Sequence, residues 1–197
     1  MNTLIRPALC LFLVMTLLTG VVYPLAVTGL AQVLFRDQAA GSLVVVDGHA
    51  IGSRVIGQNF SDPKYFWGRP SATAPQPYNA IASSGSNQGP LNPALTDAIK
   101  ARIDALKAAD PQNPLSIPVD LVTASASGLD PDISIAAARY QAARIARIRG
   151  LSPENVQSLI SSHSSGRLLG LIGEPRVNVL ELNLALDALK TTIKTTR

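Results

Sequence analysis

From Ala8 to Phe35 the chain runs for twenty-eight positions without a charged side chain. An uninterrupted helix of that length reaches roughly 42 Å, and a bilayer's hydrocarbon core needs only about 20 residues. The pattern therefore predicts a short tail over 1–7, a membrane span over 8–35 and a soluble domain over 36–197. Pro24 removes a backbone donor late in the run, which predicts a kink. Tyr23 and Phe35 fall where the far interface is expected.

After the span the pattern changes to that of a mixed domain. Ser42–Val46, then Asp47-Gly48, then His49–Ile56 predict a β-hairpin, because Asp-Gly supplies the positive φ angles of a two-residue turn. Gly57–Asn92 is crowded with Pro, Gly, Ser and Asn, so a long irregular stretch is predicted. It also holds Phe60, Tyr65, Phe66, Trp67 and Tyr78, and disordered segments are poor in aromatic residues. An ordered, packed loop is expected.

Asn92 and Pro93 open a helix with Leu95, Ile99, Ile103 and Leu106 on one face. Asp110–Pro118 is a connector and Val119–Thr123 a candidate buried strand. Ser134 caps a helix closed by Gly150, and Ser152-Pro153 opens another that ends near His163. Leu168–Ile172 is a second candidate strand. Asn178 caps a last helix whose apolar face is Val179, Leu182, Leu186, Leu189 and Ile193. Few strands and several helices in irregular order predict an α+β domain.

Charge adds orientation. The α-amine and Arg6 precede the span, whereas Arg36 just after it is neutralised by Asp37. The positive-inside bias then places the N-terminus in the cytoplasm and the domain outside. The alternative is a signal peptide cleaved after Gly-Leu-Ala31, releasing a free periplasmic binding protein. Seventeen basic against thirteen acidic residues, scattered along the chain, do not suggest a nucleic-acid binder.

The single cysteine, Cys10, lies in the span, so the domain has no disulfide or thiolate metal site, and two histidines make a zinc centre unexpected. No P-loop, no Asp-Lys-Thr-Gly run and no Gly-x-Ser-x-Gly elbow occurs. His49 and His163 read as solvated or helix-terminal imidazoles. Asp130-Pro131 reads as turn chemistry ahead of the Ser134 cap. Arg139, Arg144, Arg147 and Arg149 fan around one helix. They read as a solvated face, with anionic lipid or an acidic partner as the other reading. Tyr65-Phe-Trp-Gly-Arg-Pro70 joins rings to a guanidinium, as interface hot spots do. An ordinary small core beneath the loop is equally compatible with it.

Many blocks along the chain resemble one family. They include Arg6-Pro-Ala8, Gly20-Val-Val-Tyr-Pro24, Ile56-Gly-Gln-Asn-Phe60, Gly68-Arg-Pro-Ser-Ala-Thr-Ala74 and Pro77-Tyr-Asn79. Leu121-Val-Thr-Ala-Ser-Ala-Ser-Gly-Leu-Asp130 and Glu181-Leu-Asn-Leu-Ala-Leu-Asp187 continue the match, and Ser84-Gly-Ser-Asn87 carries Ser84 where the family has Gly. The chain resembles the C subunit of Kdp-type potassium-transporting ATPases. That resemblance implies a subunit that is no enzyme by itself, in the inner membrane of a bacterium. Its implied partners are a channel-like potassium-translocating subunit, a P-type ATPase subunit and the bilayer. The family's C subunit is described as an assembly factor and as a chaperone raising the ATP affinity of the ATPase subunit. No cofactor is expected to be held firmly; ATP enters only as a ligand shared with that subunit, with the Ser-Gly-rich segment and Gln141 as its candidates. Tyr65, Trp67, Arg69, Tyr78 and Asn87 are the candidate partner contacts.

Overall fold

The structure, a computed structural model, describes the backbone of residues 2–195 and the side chains of residues 4–189. Ile193, expected on the face of the last helix, has a side chain outside that range. The chain divides into two compact units, the first ending at Ile51 and the second beginning at Gly52.

The first unit opens with α1 (Asn2–Leu17), a π-helical turn at Leu18–Val22 and α2 (Tyr23–Leu34). Pro24 cannot donate to the carbonyl four residues back, and its ring crowds that carbonyl. The helix answers with the wider turn just ahead of it, in which Tyr23 N–H donates to Leu18 C=O, five residues back. Leu4–Leu34 is a 31-residue helix containing an 18-residue stretch of mean hydropathy 2.2, none of it buried, and is long and apolar enough to cross a membrane. A short helix α3 (Arg36–Ala39) follows, then the expected hairpin of β1 (Leu43–Val46) and β2 (His49–Ser53). Asp47 and Gly48 have φ of 50° and 79°, the two positive angles the turn demands.

In the second unit, local caps set the helices. Asn92 Oδ1 accepts from Ala94 N–H at 3.0 Å to open α4 (Pro93–Ala109). Ser134 Oγ accepts from Ala137 N–H at 3.0 Å to open α5 (Ile135–Arg149), and Gly150 ends it in the left-handed conformation. Ser152 caps α6 (Pro153–Ser162), and Asn178 Oδ1 accepts from Glu181 N–H to start α7 (Val179–Thr195). A small antiparallel sheet packs against α5 and α7. Its central strand β5 (Arg176–Asn178) pairs with β3 (Asp132–Ser134) and β4 (Ser164–Ser165). Ile133 faces Val177 in that register, and both are buried. The molecule is α+β: an apolar helix followed by helices and two small sheets among the described residues.

Two expected strands are not strands. Val119–Leu121 forms a 3-10 turn, because the Val119 carbonyl accepts from Val122 N–H, Thr123 N–H and the Thr123 hydroxyl instead of a neighbouring strand. Leu168–Ile172 is a tight turn closed on itself by Leu168 N–H to Ile172 C=O at 2.8 Å. An apolar run of five fits either structure by pattern alone.

The core gathers Phe66, Leu121, Ile133, Ile145, Val156, Ile160, Val177, Leu182 and Leu186. Phe66 comes from the long irregular stretch, so the loop is part of the core. Burying one such ring is worth about 1.5–3 kcal/mol.

Candidate functional site

An irregular segment that enters a core brings backbone polar groups with it, and each needs a partner. From Asp62 to Arg69 every carbonyl accepts a hydrogen bond from a side chain. Trp67 Nε1–H serves Asp62, Arg144 serves Pro63 and Tyr65, and Arg149 serves Lys64. Asn183, Gln141, Arg102 and the Tyr78 hydroxyl serve Phe66, Trp67, Gly68 and Arg69 in turn.

Two of these are amide clasps that stand in for a strand partner. Asn183 accepts from Phe66 N–H at 2.9 Å and donates to Phe66 C=O at 3.0 Å. Gln141 does the same for Trp67, at 2.8 and 3.1 Å. Each amide sits four residues along the core face of its helix, in the series Ala137–Gln141–Arg144 and Val179–Asn183–Leu186. These residues are buried, so the clasps work where water does not compete.

The guanidinium groups complete the grip. Arg144 is 2% exposed and has no carboxylate among its hydrogen-bond partners; it bonds two carbonyls and Gln141 Oε1. Its Cζ lies 4.7 Å from the Trp67 ring centroid, and Arg102 lies over the same ring at 5.1 Å. Burial pushes the Arg144 pKa down to about 10, and burial lowers that of Arg102 as well. Arg149 pairs with Asp187 at 2.7 Å and covers the Tyr65 ring at 4.7 Å. Of the four arginines expected on a solvated face, only Arg139 and Arg147 are exposed, and Arg147 reaches Asp110 at 2.6 Å. Arg144 and Arg149 are internal. Side-chain length and charge concealed that, although the spacing from Ala137 to Arg144 was a signal of it.

The remainder of the loop is stitched to the Ala124–Asp130 segment. Ser84 N–H donates to Ser127 C=O, Gly57 N–H to Leu129 C=O, and Ser71 Oγ to Gly128 C=O at 2.6 Å. Gly85 and Gly128 allow the approach, since a Cβ on either would meet backbone oxygen within 2.8 Å. Arg69 pairs with Asp130 at 3.0 Å and also donates to Ala124 C=O. Together with Ser125, Ser127, Leu129 and Pro131 these two line a shallow depression of about 560 Å³. Its ion pair is internal, which leaves the depression with little net charge.

The five candidate contacts are thus placed differently. Trp67 is 6% exposed and lies between two guanidinium groups. Tyr65, Arg69 and Tyr78 are half-buried, with Tyr65 donating to Asp187 at 3.0 Å. Burial also raises the Tyr78 phenol to a pKa of about 12. Asn87 is exposed, with a positive φ of 52°. Gln141 has both amide atoms engaged in the clasp. Asp120, near the Ser125–Leu129 loop, accepts from Ser134 N–H and Oγ and so braces the α5 cap. His163 ends α6, its Nδ1 3.0 Å from Leu159 C=O, as a helix-terminal imidazole should. The site is a mount in which every loop carbonyl from Asp62 to Arg69 is taken, while Arg69 Nε and Arg149 Nη2 are buried within it without a hydrogen-bond partner.

The family model described as K+-transporting ATPase, c chain, matches residues 5–188. The chain belongs to this family. The match runs through the apolar helix and the domain alike, so both are c-chain features. The Potassium-transporting ATPase KdpC subunit of Variovorax paradoxus (strain S110) is 71% identical over 188 residues, covering 95% of this chain and 97% of that protein. Its namesake in Dechloromonas aromatica (strain RCB) is 67% identical over 95% and 98%. That of Herpetosiphon aurantiacus is 63% identical over 191 residues, 97% and 99% of the two chains.

Proposed function

We propose that this chain is a non-catalytic subunit of an ATP-driven potassium uptake pump of the bacterial inner membrane. The observation that carries this is full-length kinship with subunits named for potassium-transporting ATPases, an apolar helix of spanning length included. In this reading Leu4–Leu34 is a permanent single-pass anchor with its N-terminus in the cytoplasm. The C-terminal domain lies outside, where it rests near the potassium entrance of the channel-like subunit. The bilayer, that subunit and the P-type ATPase subunit are its partners.

The chain acts by steadying the assembled state. A partner that prefers one conformation of the pump shifts the equilibrium towards it, and ATP affinity rises on the ATPase subunit by the same linkage, with no nucleotide held by this chain alone. The clasped loop suits a contact surface, because an ordered loop loses little entropy on docking. Asn87, Tyr65, Arg69 and Tyr78 offer atoms at its rim, and Trp67 holds the loop from within.

Affinity isolation of a tagged full-length chain tests the assignment: both large pump subunits are expected to co-purify, while the chain alone hydrolyses no ATP. An impermeant maleimide tests the side, using Ile81→Cys in a Cys10→Ser background in spheroplasts. Labelling without permeabilisation is expected. Hydrolysis by the isolated chain, or labelling only after permeabilisation, overturns the corresponding half.

A further inference from the structure

The turn between β4 and β5 is the least conventional surface of the second unit. Leu168, Leu169, Leu171 and Ile172 all project from it, Leu169 and Leu171 at 86% and 84% exposure. No charge interrupts them, and the Arg167–Glu174 ion pair at 3.0 Å closes the base. Leu169 holds a φ of 54°, a left-handed conformation that glycine or asparagine takes at lower cost. A solvent-facing turn has no need of leucine there. Something other than local folding selects these side chains.

The backbone indicates the medium. Leu168 N–H donates to Ile172 C=O, Gly170 N–H to Arg167 C=O, and both Leu171 and Ile172 N–H to Leu168 C=O, at 2.8–3.1 Å. Polar backbone that enters hydrocarbon must be satisfied internally, and four of the five N–H groups of Leu168–Ile172 find their partner within Arg167–Ile172. It is convex, aliphatic and without an aromatic ring, with charges confined to a collar of Arg167, Glu174 and Arg176. A protein pocket sets no requirement that the backbone be self-bonded; a lipid phase does. The same chain carries a helix of spanning length, so a bilayer is tethered to the domain at high effective concentration.

We propose that the Leu168–Ile172 turn dips its aliphatic side chains into the bilayer as a second, reversible membrane contact. The contact rests on the anchored reading of Leu4–Leu34 and deepens it: two membrane contacts together restrict how the domain can tilt over the membrane. The charged collar marks the depth at which the headgroups begin.

Full-length chain in phosphatidylethanolamine–phosphatidylglycerol vesicles containing brominated acyl chains tests the contact. An environment-sensitive fluorophore is placed on native Cys10, or on Leu169→Cys, Leu171→Cys or Ile81→Cys, each of the three in a Cys10→Ser background. Emission at 169 and 171 is expected to shift to the blue and to be roughly halved by the brominated lipid. Cys10 should be quenched, and Ile81→Cys, 99% exposed on another loop, should behave as in water. Quenching at Cys10 with 169 and 171 as aqueous as 81 overturns the tip contact and leaves the anchor standing. An unquenched Cys10 overturns the anchor, and the tip contact with it. Shielding of 169 and 171 only when the other pump subunits are added, without quenching by lipid, also overturns the proposal, because a protein pocket then holds the tip.

Discussion

Replacing Arg144 by alanine removes a guanidinium from three acceptors, the part-buried carbonyls of Pro63 at 2.6 Å and Tyr65 at 3.2 Å, and the buried Gln141 Oε1 at 2.7 Å. A buried acceptor left without a donor costs about 1–3 kcal/mol. Some of the sum is recovered, because the buried guanidinium was itself held in an unfavourable medium, as its lowered pKa records. Gln141 also keeps its bonds to Trp67, and alanine is the better helix former. A net loss of about 2–4 kcal/mol is expected. Arg139→Ala, on the exposed side of the same helix, should change stability by no more than about 0.5 kcal/mol. Urea unfolding of the full-length chain in mild detergent reads both. The fluorescence of Trp67 serves as reporter, since it is the chain's one tryptophan. Arg144 stacks on that ring, so the midpoint and slope decide the question, whatever happens to the native signal. A loss below about 1 kcal/mol for Arg144→Ala, or equal losses for the two variants, refutes the idea that buried side chains hold the loop.

Asn183→Ala should cost about 2–4 kcal/mol in the same assay, because the N–H and C=O of Phe66 both lose their partner. Gly128→Ala should cost roughly 2 kcal/mol or more, since φ is +67° and the new Cβ lies 2.7 Å from Ser84 C=O, while Gly89→Ala, which meets open space, should be nearly neutral. The Tyr78 phenol, with its folded pKa raised to about 12, stabilises the fold fully below the ordinary tyrosine value near 10 and loses that contribution as pH rises through 12. The difference in phenolate absorbance between wild type and Tyr78→Phe should therefore appear near pH 12, and a titration near pH 10 would show an open hydroxyl.

What could be read from the chain alone was what is decided locally. The span follows from a run without charge, the hairpin from Asp47-Gly48, and four helix starts from Asn92, Ser134, Ser152 and Asn178 beside their apolar periods. The strands of the second unit were not legible. Asp132–Ser134 and Arg176–Asn178 have three residues each and acquire their character from pairing across more than forty positions of chain. Val119–Thr123 and Leu168–Ile172 look like strands by composition, yet no partner strand reaches them. The aromatic stretch was expected to be ordered, but its means of support was hidden. Gln141, Arg144 and Asn183 look like surface residues until the loop they hold is folded over them.

Retention of Leu4–Leu34 as a tether is the point on which the functional account turns. The most direct measurement is potassium-stimulated ATP hydrolysis by pumps isolated from cells in which this chain is either intact or has its first 35 residues replaced by a cleavable signal peptide, so that the domain is exported untethered. Assembled, active pumps are expected only with the intact chain. Full assembly and activity with the untethered domain would contradict it.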